Sequence, residues 1–191
     1  MQRLILVLFV FSICFTKGSL KSCPKLPVQR NFTLSEFMGT WYEIKALSTR
    51  FLRGSCITHT FAKNSNLWIN VNTTEKKDDG KRILYIGKLT VARLNESANL
   101  QVRWADGGHL GFVVESDEFS FIPFQILASD CTSYSLVYSC TQHNLYPTIY
   151  AWILSRHAYL EESTIDQLEN ILKDHKIKLD KIHTIDQQNC P

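Results

Sequence analysis

The side chains with the most chemistry to offer are six cysteines: Cys14, Cys23, Cys56, Cys131, Cys140 and Cys190. None has zinc-site spacing, because the chain has no C-x-x-C and no His pair flanking a Cys pair. The six histidines, His59, His109, His143, His157, His175 and His183, are scattered too widely for a metal site. His59 alone is a conceivable axial haem ligand. No G-x-S-x-G elbow, P-loop or H-E-x-x-H is present. These residues therefore point to disulfide chemistry, with no catalytic residue, metal ligand or cofactor expected. Three sequons offer a second covalent chemistry: Asn31-Phe32-Thr33, Asn72-Thr73-Thr74 and Asn95-Glu96-Ser97.

Both chemistries belong to an oxidising, secretory compartment, and the N-terminus agrees. Met1-Gln2-Arg3 is a short basic start, and Leu4 to Phe15 is an apolar run broken only by Ser12. Thr16 and Gly18 then set small residues at the −3 and −1 positions of a cut after Gly18. The run is shorter than the roughly 20 residues that a membrane span needs. Residues 1–18 are read as a cleaved signal peptide and 19–191 as one extracellular domain. Cleavage leaves 173 of the 191 residues. The charge falls from +3 to +1, because Arg3 and Lys17 leave without an acid. So weak a charge is no nucleic-acid footprint. Cys14 leaves as well, and the five remaining cysteines imply two disulfides and one free or intermolecular thiol.

Eight segments of strand character must position these residues. They are Gly39 to Ala46, Cys56 to Lys63, Leu67 to Thr74, Arg82 to Ala92, Leu100 to Trp104, Phe119 to Ala128, Tyr134 to Thr141 and Thr148 to Leu154. Polar or glycine-containing turns such as Asn64-Ser65-Asn66 and Asp78-Asp79-Gly80 separate them. Near-regular spacing of short strands predicts an antiparallel sandwich or barrel. Pro24 and Pro27 make the segment before them an extended arm. One helix is expected, from Glu162 to about His175, with Ile165, Leu168, Ile171 and Leu172 on its apolar stripe. Ser163 and Asp166 have capping-box spacing, and Glu169 and Lys173 an i, i+4 pairing. A ninth strand is expected near Lys181 to Ile185. A closed barrel of eight strands is either filled by its own side chains or holds one small ligand, and alternation does not choose between the two.

Gly39-Thr40-Trp41-Tyr42-Glu43-Ile44 resembles the first signature of the lipocalin family, G-x-W-Y-E-I. Pro27 to Phe32 is similar to the lead-in of the apolipoprotein D branch, which includes Lazarillo and bilin-binding proteins. Ser129-Asp130-Cys131, followed by Tyr134 to Cys140, resembles the second motif, and Ala151 to Arg156 the third. The resemblance runs from about Cys23 to Pro191. It implies an all-β, eight-stranded antiparallel up-and-down calycin barrel with one C-terminal helix packed outside. Two features depart from the pattern. Cys131 stands where the branch has Tyr, and the stretch from Ala105 to Glu118 is longer than expected and contains Gly107, Gly108 and Gly111.

The resemblance implies roles for further residues. Gly39, Trp41 and Arg156 would close the barrel floor, with the guanidinium over the indole. Disulfides would join Cys23 to Cys140 and Cys56 to Cys190, leaving Cys131 as a free thiol, buried or dimer-forming. The interior would bind a small hydrophobic ligand such as a sterol, fatty acid or other lipid. Trp152 matches the pocket Trp of the branch and Phe61 a pocket aromatic. Period-2 counting from these anchors places His59, Ile69, Val71, Thr73, Tyr85, Leu89, Val102, Trp104, Phe124, Ile126, Val137 and Tyr150 on the inner face. It sends Asn72 outward. With no Arg or Lys on that face, a sterol, neutral lipid or tetrapyrrole suits it better than a fatty-acid carboxylate. Two other classes compete. A lipocalin isomerase would use a cavity cysteine, but Cys131 is expected outside the cavity. An interaction module would use Trp68 and the 105–118 loop against a cell-surface receptor, with the barrel as scaffold.

Overall fold

The computed structural model describes residues 22–47, 54–65, 67–105, 121–143 and 146–190. The expected leader, and all of the 105–118 loop but Ala105, lie outside them. Eight strands follow a short helix α1 (Leu34–Phe37): β1 (Gly39–Leu47), β2 (Ser55–Lys63), β3 (Ile69–Lys76), β4 (Arg82–Val91), β5 (Asn99–Trp104), β6 (Ile122–Ser129), β7 (Tyr134–His143) and β8 (Tyr146–Ser155). Helix α2 (Glu162–Asp174) and a short β9 (Ile182–Thr184) complete the chain. Each strand pairs antiparallel with the next, β8 pairs with β1, and β1 also pairs with β2, so the sheet closes. Strand β9 adds to β1 from outside the barrel. Closure leaves the eight-strand wall with no free edge.

The sheet sorts its residues into two cores. Inward positions form one cluster around Trp41, Phe61, Val71, Leu89, Ile126 and Val137. Outward positions of β1, β7 and β8 form a second, with Ile44, Leu136, Tyr138 and Ile153 under Ile165, Leu168 and Leu172 of α2. A bulge between Glu43 and Lys45 lets β1 serve both. Trp41 and Ala46 face in, while Ile44 and Leu47 face α2. Lys45 reaches the helix itself, 2.9 Å from Glu169.

Three local expectations need correction. Leu67 lies in the turn before β3, 73% exposed, rather than at the start of the strand expected from Leu67 to Thr74, because the hairpin bends at Ser65. The N-cap of α2 is Glu161, with no side-chain cap bond, so Ser163 and Asp166 are helix-interior residues and form no capping box. The four-residue α1 is too short to leave a periodic signal in the sequence.

Helix α1 plugs one end of the barrel. Phe37 stacks on Trp41 at 5.1 Å and tilts against Phe61 at 4.9 Å. The Trp41 indole N–H donates to the Phe37 carbonyl at 2.8 Å. Arg156 lies 3.8 Å over the Trp41 ring. Its guanidinium also donates to the carbonyls of Glu36, Met38, Thr40 and Cys131 at 2.8–3.2 Å. Gly39 has φ +100, a backbone conformation that calls for glycine, and a Cβ there would sit 3.2 Å from the Arg156 guanidinium. One cation thus ties α1, β1 and the β6–β7 turn together. Arg156→Ala forfeits a cation–π contact and strands several carbonyls, and is expected to cost about 2–4 kcal/mol in a urea unfolding titration. Arg156→Lys restores less than half of that, because an ammonium lacks the planar fork.

Candidate functional site: the barrel interior

Every apolar side chain expected to face inward belongs to the inner cluster. Phe61, Ile69, Val71, Leu89, Val102, Ile126, Val137 and Tyr150 are buried in it, and Tyr85, Trp104, Phe124 and Trp152 pack against it half-buried. Burial is graded along the barrel. Toward the α1 end, Phe61, Leu89, Ile126 and Val137 are at most 1% exposed. The half-buried aromatics lie nearer the other end or halfway up the wall. Tyr150 and Trp152 stack at 6.0 Å, and Phe124 lies 6.4 Å from Trp152. Phe124 also meets Phe61 at 5.9 Å, linking this wall to the floor. Opposite, the Trp104 ring lies across Gly87, where a Cβ would come within 2.7 Å of it. Glycine at that inward position is what admits the indole.

A polar seam crosses the apolar interior. Glu43, two residues beyond Trp41 and so on its face, has a fully buried side chain. Its Oε2 lies 2.8 Å from His59 Nε2, and His59 Nδ1 lies 2.8 Å from the Thr73 hydroxyl. Its other oxygen, Oε1, is buried with no hydrogen-bond partner. Glu75, the next inward residue after Thr73, is also fully buried. It accepts from Tyr85 at 2.5 Å and from the Gly54 N–H at 3.2 Å, and it pairs with Lys77 at 2.5 Å. Burial, followed by the bond to Glu75, pushes the Tyr85 hydroxyl well above its ordinary value, so it remains a donor at neutral pH. Trp104 Nε1 and the Ser139 hydroxyl are buried without partners too. An inner wall of aromatic area with a few polar atoms is suited to orienting a small apolar molecule. Among the described residues, no group of three His, Cys, Asp or Glu side chains could hold a metal ion.

Residues 38–189 match the family model described as Lipocalin / cytosolic fatty-acid binding protein family. The chain belongs to the lipocalin family. Apolipoprotein D of Rattus norvegicus is 36% identical over 90% of this chain and 86% of its own. Apolipoprotein D of Macaca fascicularis is 35% identical over the same shares. The solved structure of insecticyanin from the tobacco hornworm Manduca sexta superposes with a TM-score of 0.70 at 24% identity, covering 86% of each chain. That likeness supports the calycin barrel. The apolipoprotein D relatives are non-enzymatic binding proteins.

The structure of this lipocalin also places the cysteines, Trp68 and the sequons. Disulfides join Cys23 to Cys140 and Cys56 to Cys190. The first fastens the N-terminal arm to β7 and the second fastens the C-terminal tail to β2. Cys131 is free and 6% exposed. Its backbone is left-handed, φ 63, and its thiol lies 3.9 Å from both the Ser129 hydroxyl and the Thr33 carbonyl. A thiol so covered is not presented to a second copy, which removes the physical basis for a dimer through Cys131. Trp68 is half-buried, stacked on Phe121 at 6.0 Å. The sequon residues Asn31, Asn72 and Asn95 are all exposed. Sequence counting missed Glu43 and Glu75. The signal was there, since each lies two residues beyond an inward anchor, Trp41 or Thr73. The expected inner face had no acid, whereas the observed one has two.

Proposed function

We propose that this lipocalin is a secreted carrier that holds one small ligand, apolar in body and polar at one end, inside the barrel. The observation that carries the reading is the gradient of burial. The α1 end is sealed by fully buried side chains, while Tyr85, Trp104, Phe124 and Trp152, packed against the same inner cluster, are only partly buried. Partly buried aromatic side chains around the inner cluster suit an apolar guest. The seam adds a preference for the head group. Glu43 Oε1 lacks a donor, and Glu75 is the second interior carboxylate. A hydroxyl would donate to Glu43, whereas a carboxylate would be repelled by it and would have to desolvate. The fit is to sterol-like alcohols and other neutral lipids over free fatty acids. Passage through the secretory route is supported by the leader-like N-terminus, the two disulfides and the relatives.

Quenching of tryptophan fluorescence tests the reading with ligands that share a tail and differ in head group. Saturable quenching is expected, tighter for the alcohol than for the matched carboxylate. No quenching by any of them overturns the carrier reading. Gly87→Val supplies a structural check. Its side chain would collide with the Trp104 ring and push it inward. The same titration is expected to register about a tenfold loss of affinity, equivalent to ~1.4 kcal/mol.

A further inference from the structure

The outside of the barrel is covered unevenly. Helix α2 and the N-terminal arm bury the outward apolar residues of β1, β6, β7 and β8. On β4, Leu84 and Ile86 point outward and remain 53% and 50% exposed. Toward β3, β2 and β1 the neighbouring outward side chains are polar. The Thr58 and Thr74 hydroxyls bond to each other at 2.8 Å, and those of Thr40 and Thr60 at 3.0 Å. Two neighbouring aliphatic side chains therefore stand proud of a threonine platform. Adjacent on one sheet face, the two side chains form an apolar strip that a covering group would remove from water.

The register names one. Asn72 lies directly opposite Ile86, and Thr74 directly opposite Leu84. Asn72 is exposed between two buried residues, Val71 and Thr73, so its amide points out from the same face. Directly paired side chains on one face have Cβ atoms about 4.5–5.5 Å apart. Asn72-Thr73-Thr74 is an acceptor sequon. We propose that Asn72 carries an N-linked glycan whose first sugars lie across Leu84 and Ile86 and form the missing cover. In the transfer, the Asn72 side-chain nitrogen bonds to the anomeric carbon of a lipid-pyrophosphate-linked oligosaccharide. The bond from that carbon to the pyrophosphate breaks. The lipid pyrophosphate leaves with the electron pair, and the displaced amide proton balances it. The inference shares with the carrier reading only the secretory route and does not depend on a ligand.

Hydroxyl-radical footprinting read by mass spectrometry tests it on protein secreted from eukaryotic cells. Three samples are compared: native protein, native protein treated in the folded state with peptide-N-glycosidase, and Asn72→Gln. Glycosidase treatment in heavy-oxygen water also labels each occupied asparagine as it becomes aspartate. The expected result is an occupied Asn72 and a rise of about threefold in oxidation of Leu84 and Ile86 once the glycan is absent. Tyr159, 67% exposed on the α2 side, should not change. An unoccupied Asn72 overturns the proposal. So does an occupied Asn72 whose removal leaves Leu84 and Ile86 oxidised at the native rate, as would follow if a second copy of the chain covered them. Glycosidase treatment of the native protein decides the matter even if Asn72→Gln is poorly secreted. Ligand titration of the same samples, unchanged throughout, keeps the outcome separate from the carrier reading.

Discussion

His59→Ala is expected to destabilise the barrel by about 3–5 kcal/mol, the usual consequence of removing one partner of a buried pair. The reason lies in Glu43. Its side chain is wholly buried, and among the described residues His59 Nε2 at 2.8 Å is the one side-chain partner of its carboxylate. With His59 gone, both carboxylate oxygens are buried without a donor, since Oε1 already is. Thr73 loses a partner as well, because its hydroxyl bonds the other ring nitrogen. Urea unfolding measures the loss. The decisive companion is the double variant His59→Ala, Glu43→Leu, which removes the charge with its partner and should recover more than half of the loss. If the single variant is as stable as wild type, the seam is not a buried pair. Gln187 is not a substitute partner, because it bonds the backbone carbonyls of Glu43 and Ile57 and leaves the carboxylate alone.

The second large effect concerns the tail. Replacing Cys56 and Cys190 with serine opens a disulfide that spans 134 residues of sequence. Its loss is expected to cost about 2–5 kcal/mol. More than chain entropy is involved. The bond anchors a segment in which Ile185 joins the inner cluster and Gln187 bridges β1 and β2. Cys56 itself accepts a strained φ of 54 and donates its N–H to Asp186 at 2.8 Å. The serine pair should therefore expose the β1–β2 seam to hydrogen exchange as well as lower the unfolding midpoint. Cys131→Ser should do neither. An unfolding midpoint unchanged by loss of Cys56 and Cys190 would show that the tail is held by packing alone.

Strand positions were legible from alternation and turn chemistry, because each strand of a closed barrel has one face in and one out. The disulfide partners were not legible that way. Five cysteines permit many pairings, and only the likeness of the whole motif set to a family selected one. The carboxylates escaped for a physical reason. An acid on a strand is ordinarily solvated, and what permits Glu43 and Glu75 to be buried lies on neighbouring strands. His59 on β2 and Tyr85 on β4 are brought to them by register, not by nearness in sequence. Gly87 was readable only as a gap in a strand until the Trp104 ring was found lying across it. The cover on α2 followed from its apolar stripe. The bareness of Leu84 and Ile86 did not, because β4 reads as apolar on both faces.

The carrier reading rests on the barrel interior holding a guest. The most direct test is to purify the secreted protein from its natural source, extract it with organic solvent and identify what is released. The account predicts roughly one small apolar molecule per chain, with a hydroxyl or other neutral polar head. An empty extract, from protein that also fails to bind sterols, retinoids, fatty acids or biliverdin when they are offered, would contradict it.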